Sequence, residues 1–140
     1  MKAKIEIESV VEDLDDAGLT SSSDKTKSSA VGDMTITDNN ILVSYTESAE
    51  GVTTVSQITS DEECVTVKRS GGVEYEFIFS EGKKTSSLYS VPPYSFDTEI
   101  YTRKIRKEFG ECGGKISLIY DMTIGGAKKK TRMTIRISKL

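Results

Sequence analysis

Apolar and polar residues alternate along most of the chain. In residues 2–11, Ala3, Ile5 and Ile7 fall on one side of an extended backbone, and Lys4, Glu6 and Glu8 fall on the other. A period of two marks a strand with one buried face. Strand-like runs recur at 30–37, 41–47, 52–59, 64–69, 73–79, 85–91, 96–109, 115–124 and 131–140. Turn chemistry separates them: Asp38-Asn39-Asn40, Asp61-Glu62-Glu63, Ser70-Gly71-Gly72, Glu81-Gly82-Lys83, Pro92-Pro93 and Gly125-Gly126. Asn, Asp and Gly accept the backbone angles of tight hairpins, and proline breaks a ladder by lacking its donor. Nothing reads as a helix of useful length.

Short connections make sequence neighbours pair antiparallel. A meander of this kind closes most simply into an up-and-down barrel, which removes exposed edges. The pattern therefore predicts an all-β protein, a single antiparallel β-barrel of about 8–10 strands spanning residues 1–140. Closure is expected to pair the first strand with the last, setting Glu6 and Glu8 against Arg132 and Arg136. Residues 12–29 stand apart. They are rich in Ser, Thr and Lys, hold Gly18 and few apolar groups, and read as a flexible loop. In 96–109 the inward phase switches, because Phe96, Thr98 and Ile100 fit one register while Tyr101, Ile105 and Phe109 fit the other. A bulge near Ile100–Tyr101 is expected.

Certain runs are familiar in order and spacing. Tyr45-Thr46-Glu47, Gly51-Val52-Thr53-Thr54, Ile58, Val65 to Val67, Arg69 with Gly71, Phe77 to Phe79 with Gly82, and Pro93-Tyr94 ahead of a long strand resemble the YwiB-like family of small bacterial proteins. The likeness covers residues 30–140, and residues 1–11 fit the family's first strand. The family usually has Thr-Pro-Tyr-Gly where this chain has Pro92-Pro93-Tyr94-Ser95. The resemblance implies a calycin-like barrel of the lipocalin and streptavidin type, and it carries no established activity. Calycin barrels often hold a small hydrophobic ligand at the open end.

Composition narrows the chemistry. The 140 residues include no His and two Cys. Without histidine there is no Ser-His-Asp or Cys-His nucleophile, no His-ligated zinc, and no ordinary general base near neutral pH. Cys64 and Cys112 are too far apart in sequence to form a CxxC motif and are expected to be free thiols in a reducing compartment. No apolar stretch approaches the ~18 residues that span a bilayer. The charged, alternating N-terminus is unlike a signal peptide, so a cytoplasmic protein without a membrane partner is expected. Residues 1–63 carry 4 basic and 14 acidic side chains, and residues 64–140 carry 15 and 8, so a net of −10 is followed by a net of +7. Acidic early strands lying beside basic late strands account for this. Arg103 to Lys107 and Lys128 to Lys130 then read as solvated surface, and no nucleic-acid partner is expected because few aromatics interleave with the basic runs.

The groups of most interest are Glu47 and Arg69. Glu47 is in phase with Ile41, Val43 and Tyr45, and Arg69 is in phase with Val65 and Val67. Both therefore point inward near one end of the barrel, where an unpaired charge is costly. One reading is a structural Glu47–Arg69 bridge to which Tyr45 donates a hydrogen bond. The other is an anchor for a ligand's polar head, with Arg69 forking onto a carboxylate or phosphate. Tyr75, Phe77, Phe79, Tyr120 and Met122 are the largest inward groups, and they either fill the core or line a cavity. No catalytic, metal-ligating or cofactor-binding set emerges. The expectation is noncatalytic binding of a small apolar or anionic ligand through Tyr45, Glu47 and Arg69. The alternative is a protein–protein interaction or structural module with a filled barrel.

Overall fold

The computed structural model describes residues 1–37 and 40–140. Ten strands follow in chain order: β1 (Lys2–Leu14), β2 (Thr20–Thr37), β3 (Asn40–Ala49), β4 (Val52–Ser60), β5 (Val65–Ser70), β6 (Tyr75–Phe79), β7 (Lys84–Val91), β8 (Tyr94–Gly110), β9 (Gly113–Ile124) and β10 (Ala127–Lys139). They form one antiparallel sheet in the order β6-β5-β4-β3-β2-β1-β10-β9-β8-β7, rolled into a nearly closed barrel. Among the described residues there is no helix, hence none long and apolar enough to cross a membrane. The expected turn at Asp38-Asn39-Asn40 has its first two residues outside the described ones.

The first and last strands do pair. Ile5 lies opposite Ile137, Glu6 opposite Arg136, and Asp13 opposite Lys129. Glu8 reaches Arg136 at 3.9 Å and Asp13 reaches Lys129 at 2.5 Å. Acidic β1 thus lies against basic β10, as the charge distribution implied. Arg132 is the exception, because its register partner is Val10 rather than a glutamate.

The chain ends therefore sit mid-sheet, and the seam falls between β6 and β7. One bridge, Glu74 to Ser90, spans it as backbone pairing. Beyond that point side chains take over. Ser87 Oγ donates to the Glu76 carbonyl at 2.7 Å, and Thr85 Oγ1 donates to the Ile78 carbonyl at 2.6 Å. On the inner side Tyr75 stacks on Phe77 at 4.0 Å and on Tyr89 of β7 at 5.6 Å. The hydroxyls satisfy carbonyls that would otherwise lack partners, and the stacked rings pack across the seam.

Three expectations need correction. Residues 12–29 are mostly strand rather than loop. β1 and β2 stay in register from Lys2–Asp33 to Asp13–Ser22, Leu14 pairs with Thr20 after a one-residue shift, and the turn is confined to Asp15–Leu19. Asp15 closes that turn by accepting from the backbone N–H groups of Ala17 and Leu19, each at 2.9 Å. Apolar periodicity was silent because both faces of this hairpin are exposed through residues 21–29. Ser and Thr still tolerate an extended backbone when a partner strand supplies the hydrogen bonds. The bulge in β8 falls between Thr102 and Lys104, later than expected. Thr102 is buried and Tyr101 is outward, so the first phase runs on to Thr102. The shift brings Ile105, Lys107 and Phe109 into the inward phase. Lys107, read as surface, instead donates to the Asp61 carbonyl and crosses the closed end of the barrel.

The core fills that end. Ile5, Met34, Ile41, Val43, Val65, Phe79, Ile100, Ile116, Leu118 and Ile135 are almost fully buried. Phe79 packs on Tyr120 with ring centroids 4.7 Å apart. Met122, by contrast, is only partly buried against this core.

Candidate functional site

One row of residues crosses five strands. Gly32 lies opposite Tyr45, Tyr45 opposite Ser56, Ser56 opposite Arg69, and Arg69 opposite Tyr75. In phase with the buried residues of their strands, these side chains face inward. Small residues alternate with large ones, so Tyr45 and Arg69 can lean over Gly32 and Ser56. Glu47 sits two residues beyond Tyr45, opposite Thr54. Sequence periodicity assigned Tyr45, Glu47 and Arg69 to the interior, and the ladder brings all three to one place.

At this row the packed core gives way to a cavity of about 290 Å³. Its apolar wall comes from Ile7, Ile58, Val67, Met133 and Ile135. Its polar wall comes from Ser9, Thr26 and Ser28 together with Tyr45, Glu47, Arg69 and Tyr75. Two of those hydroxyls belong to β2 and two site residues to β3, and between them the strands diverge. β2 and β3 pair only from Thr37–Asn40 to Gly32–Tyr45. Beyond Gly32 the wall splits, and the cavity lies at the split.

Arg69 dominates the electrostatics. Its Nε donates to the buried Ser56 Oγ at 3.2 Å. Its Nη2 lies 3.8 Å from Glu47 Oε1, with both side chains partly exposed at 28% and 43%. That separation is beyond hydrogen-bond range, so the pair is a loose contact rather than a fork. Burial works against the charge on Arg69, but Tyr75, Glu47 and Tyr45 outweigh it and hold its pKa above the ordinary value. Tyr75, read from sequence as core, stands beside the guanidinium. Its outer position was hidden because periodicity gives phase and not depth.

Burial raises the pKa of Tyr45, against the opposing effects of Ser56 and Arg69. Burial likewise raises Tyr75, opposed by Arg69. Deeper in, burial pushes Tyr120 up furthest, with Thr131 in partial opposition. Phenols raised on folding keep their protons when those of the unfolded chain leave. Stability is therefore full below the unfolded value of about 10 and falls as the pH climbs from there toward the folded pKa. Tyr120→Phe should flatten this alkaline loss. Urea titrations between neutral and strongly alkaline pH would show it, and an unchanged slope in the variant would refute the assignment.

Among the described residues no cluster of three or more His, Cys, Asp or Glu is placed to hold a metal ion. Cys64 is half-buried at the β4–β5 turn, where its backbone N–H donates to Asp61 Oδ1 at 2.8 Å, and Cys112 is exposed at the β8–β9 turn. Both are free thiols.

Fold and site together define a nearly closed, ten-stranded antiparallel β-barrel, packed at one end and hollow at the other, with an arginine at the hollow. Residues 5–137 match the family described as domain of unknown function DUF1934, and the chain belongs to that family. Among solved structures, it is similar to the crystal structure of ywiB protein from Bacillus subtilis. The TM-score is 0.78 at 24% identity, covering 99% of this chain and 92% of that one. No curated protein matches. The expected YwiB-like family and its barrel are thus borne out, and at this identity the structural likeness speaks to fold.

Proposed function

We propose that the barrel is a noncatalytic binding protein for a small molecule with an apolar body and an anionic head. The observation behind this reading is the unused capacity of Arg69. A guanidinium carries five N–H donors. Ser56 and Tyr75 each take one, and Glu47 is too distant to take another well. The remaining donors border a cavity with an apolar floor. Its volume is near the lower edge of the ~300–1,000 Å³ typical of ligand pockets, which suits a compact carboxylate. Calycin-type barrels use an open end in this way, which supports the reading by analogy of fold.

The brace reading predicts a stability cost that the geometry does not support. A partly exposed pair at this distance contributes about 0–1 kcal/mol. The variant Glu47→Gln, which breaks the ion pair and keeps the Arg69–Ser56 hydrogen bond, should therefore unfold within about 1 kcal/mol of the parent in urea. A much larger loss would restore the brace. For binding, hexanoate and its neutral amide are suitable probes in an NMR titration. Hexanoate should bind and the amide should not. Arg69→Met should weaken hexanoate by roughly tenfold to a hundredfold, the range for hydrogen bonds to a charged group. Equal response to both probes would sink the anionic-head assignment. Native mass spectrometry of protein purified from its own host separates this reading from the filled structural or interaction module. A retained small molecule supports the first, and a retained protein the second.

A further inference from the structure

The split that opens the cavity also leaves a strand edge exposed. β2 pairs with β1 along its length but with β3 only through residues 32–37. Along residues 22–31 no strand among the described residues lies on its other side. The main-chain groups that face this side follow from the ladder. Met34 N donates to Met1 O at 2.8 Å, so Met34 faces β1. Main-chain direction alternates along an antiparallel strand. Even-numbered residues of β2 therefore face β1, and Ser23, Lys25, Lys27, Ser29 and Val31 turn their N–H and C=O groups away from it.

An unpaired edge of this length is a template for another strand. Proteins that keep such an edge inert shorten it, cover it, or interrupt it with proline or a bulge. Here residues 22–31 hold no proline, keep continuous register with β1 and stay exposed through residue 29. The edge's one visible device is charge, in Lys25 and Lys27.

That charge selects the occupant. A second copy pairing antiparallel along this edge must keep outward-turned residues opposite each other. The registers that use most of the edge are centred on Lys25, Thr26 or Lys27. They set Lys25 against Lys25, Lys25 against Lys27, or Lys27 against Lys27. Like charges directly opposite are destabilising. Lys27 has a partner in Glu8 at 3.6 Å, while Lys25 lies across from Val10. We propose that residues 22–31 of β2 are a strand-addition site for an extended acidic peptide segment of a protein partner, with carboxylates at alternate positions facing Lys25 and Lys27. Main-chain hydrogen bonds to the five outward-turned residues supply the pairing, and the lysines supply the choice of partner. The site adjoins the cavity but does not depend on its being a ligand pocket.

The test uses the full chain and two synthetic peptides of about eight residues, one alternating Glu and Thr and the other Lys and Thr. With the acidic peptide, amide exchange at Ser23, Lys25, Lys27 and Ser29 should slow by at least about tenfold. The effect should weaken as salt rises, and the basic peptide should give none. Ser23→Pro removes an N–H that β1 does not use, so it should block addition and leave the β1–β2 ladder intact. Lys25→Glu with Lys27→Glu should reverse the peptide preference, which keeps the test decisive if the proline variant folds poorly. Absence of protection, protection that survives both variants, or a dimer in sedimentation that Ser23→Pro abolishes would each overturn the proposal.

Discussion

Phe79→Ala is expected to cost about 3–5 kcal/mol, the range for removing a large buried aromatic. The side chain is 1% exposed. It lies opposite Val65 across β5 and 4.7 Å from the Tyr120 ring, centroid to centroid. Two features place the cost at the upper end. Its neighbours come from different strands of a closed wall, so they cannot collapse into the gap without moving backbone. β6 is also an end strand of the sheet, laddered only to β5 and sealed on its other side by Ser87, Thr85 and one bridge. Weakening its packing should loosen the seam. Urea unfolding followed by tyrosine fluorescence would measure the loss. Amide exchange should show the β6–β7 seam opening before the β1–β10 ladder. A loss under about 1 kcal/mol would mean that the closed end is not packed as described.

Gly32→Ala is expected to cost about 3 kcal/mol, at the top of the usual range for overpacking. A Cβ at this position would lie 2.2 Å from the Ser44 carbonyl oxygen and 2.7 Å from Tyr45 Cβ. The first contact is with backbone, which cannot swing aside as a flexible side chain could. Relief requires β2 and β3 to separate sooner along the ladder, and that separation carries Tyr45 away from Ser56 and Arg69. The variant should therefore lose probe binding as well as stability. Hexanoate titration at a urea-free temperature well below unfolding would distinguish the two losses. Retention of both would show that the strands do not approach at Gly32 as closely as this.

Much of this was legible in the chain. Ala3, Ile5 and Ile7, or Val73, Tyr75, Phe77 and Phe79, declare their faces by alternation alone, because a strand buried on one side imposes a period of two. Gly71-Gly72 and Gly125-Gly126 mark their turns for the same local reason. Phase also sufficed to send Tyr45, Glu47 and Arg69 inward. Where both faces are wet, as in residues 21–29, alternation carries no message. There a loop was expected, and the structure has strand.

The rest is a matter of register and of how the sheet curls, which depend on contacts between residues far apart in sequence. The row from Gly32 to Tyr75 exists only once five strands are aligned. The depth at which core gives way to cavity, the loose 3.8 Å approach of Glu47 to Arg69, and the split between β2 and β3 all follow from that alignment. The alternating pattern by itself determined an all-β barrel and the inward faces of its strands, because burial of one face is a local demand. Only the tertiary structure decided where the barrel stays open and what stands at the opening, because closure is settled by the whole sheet at once.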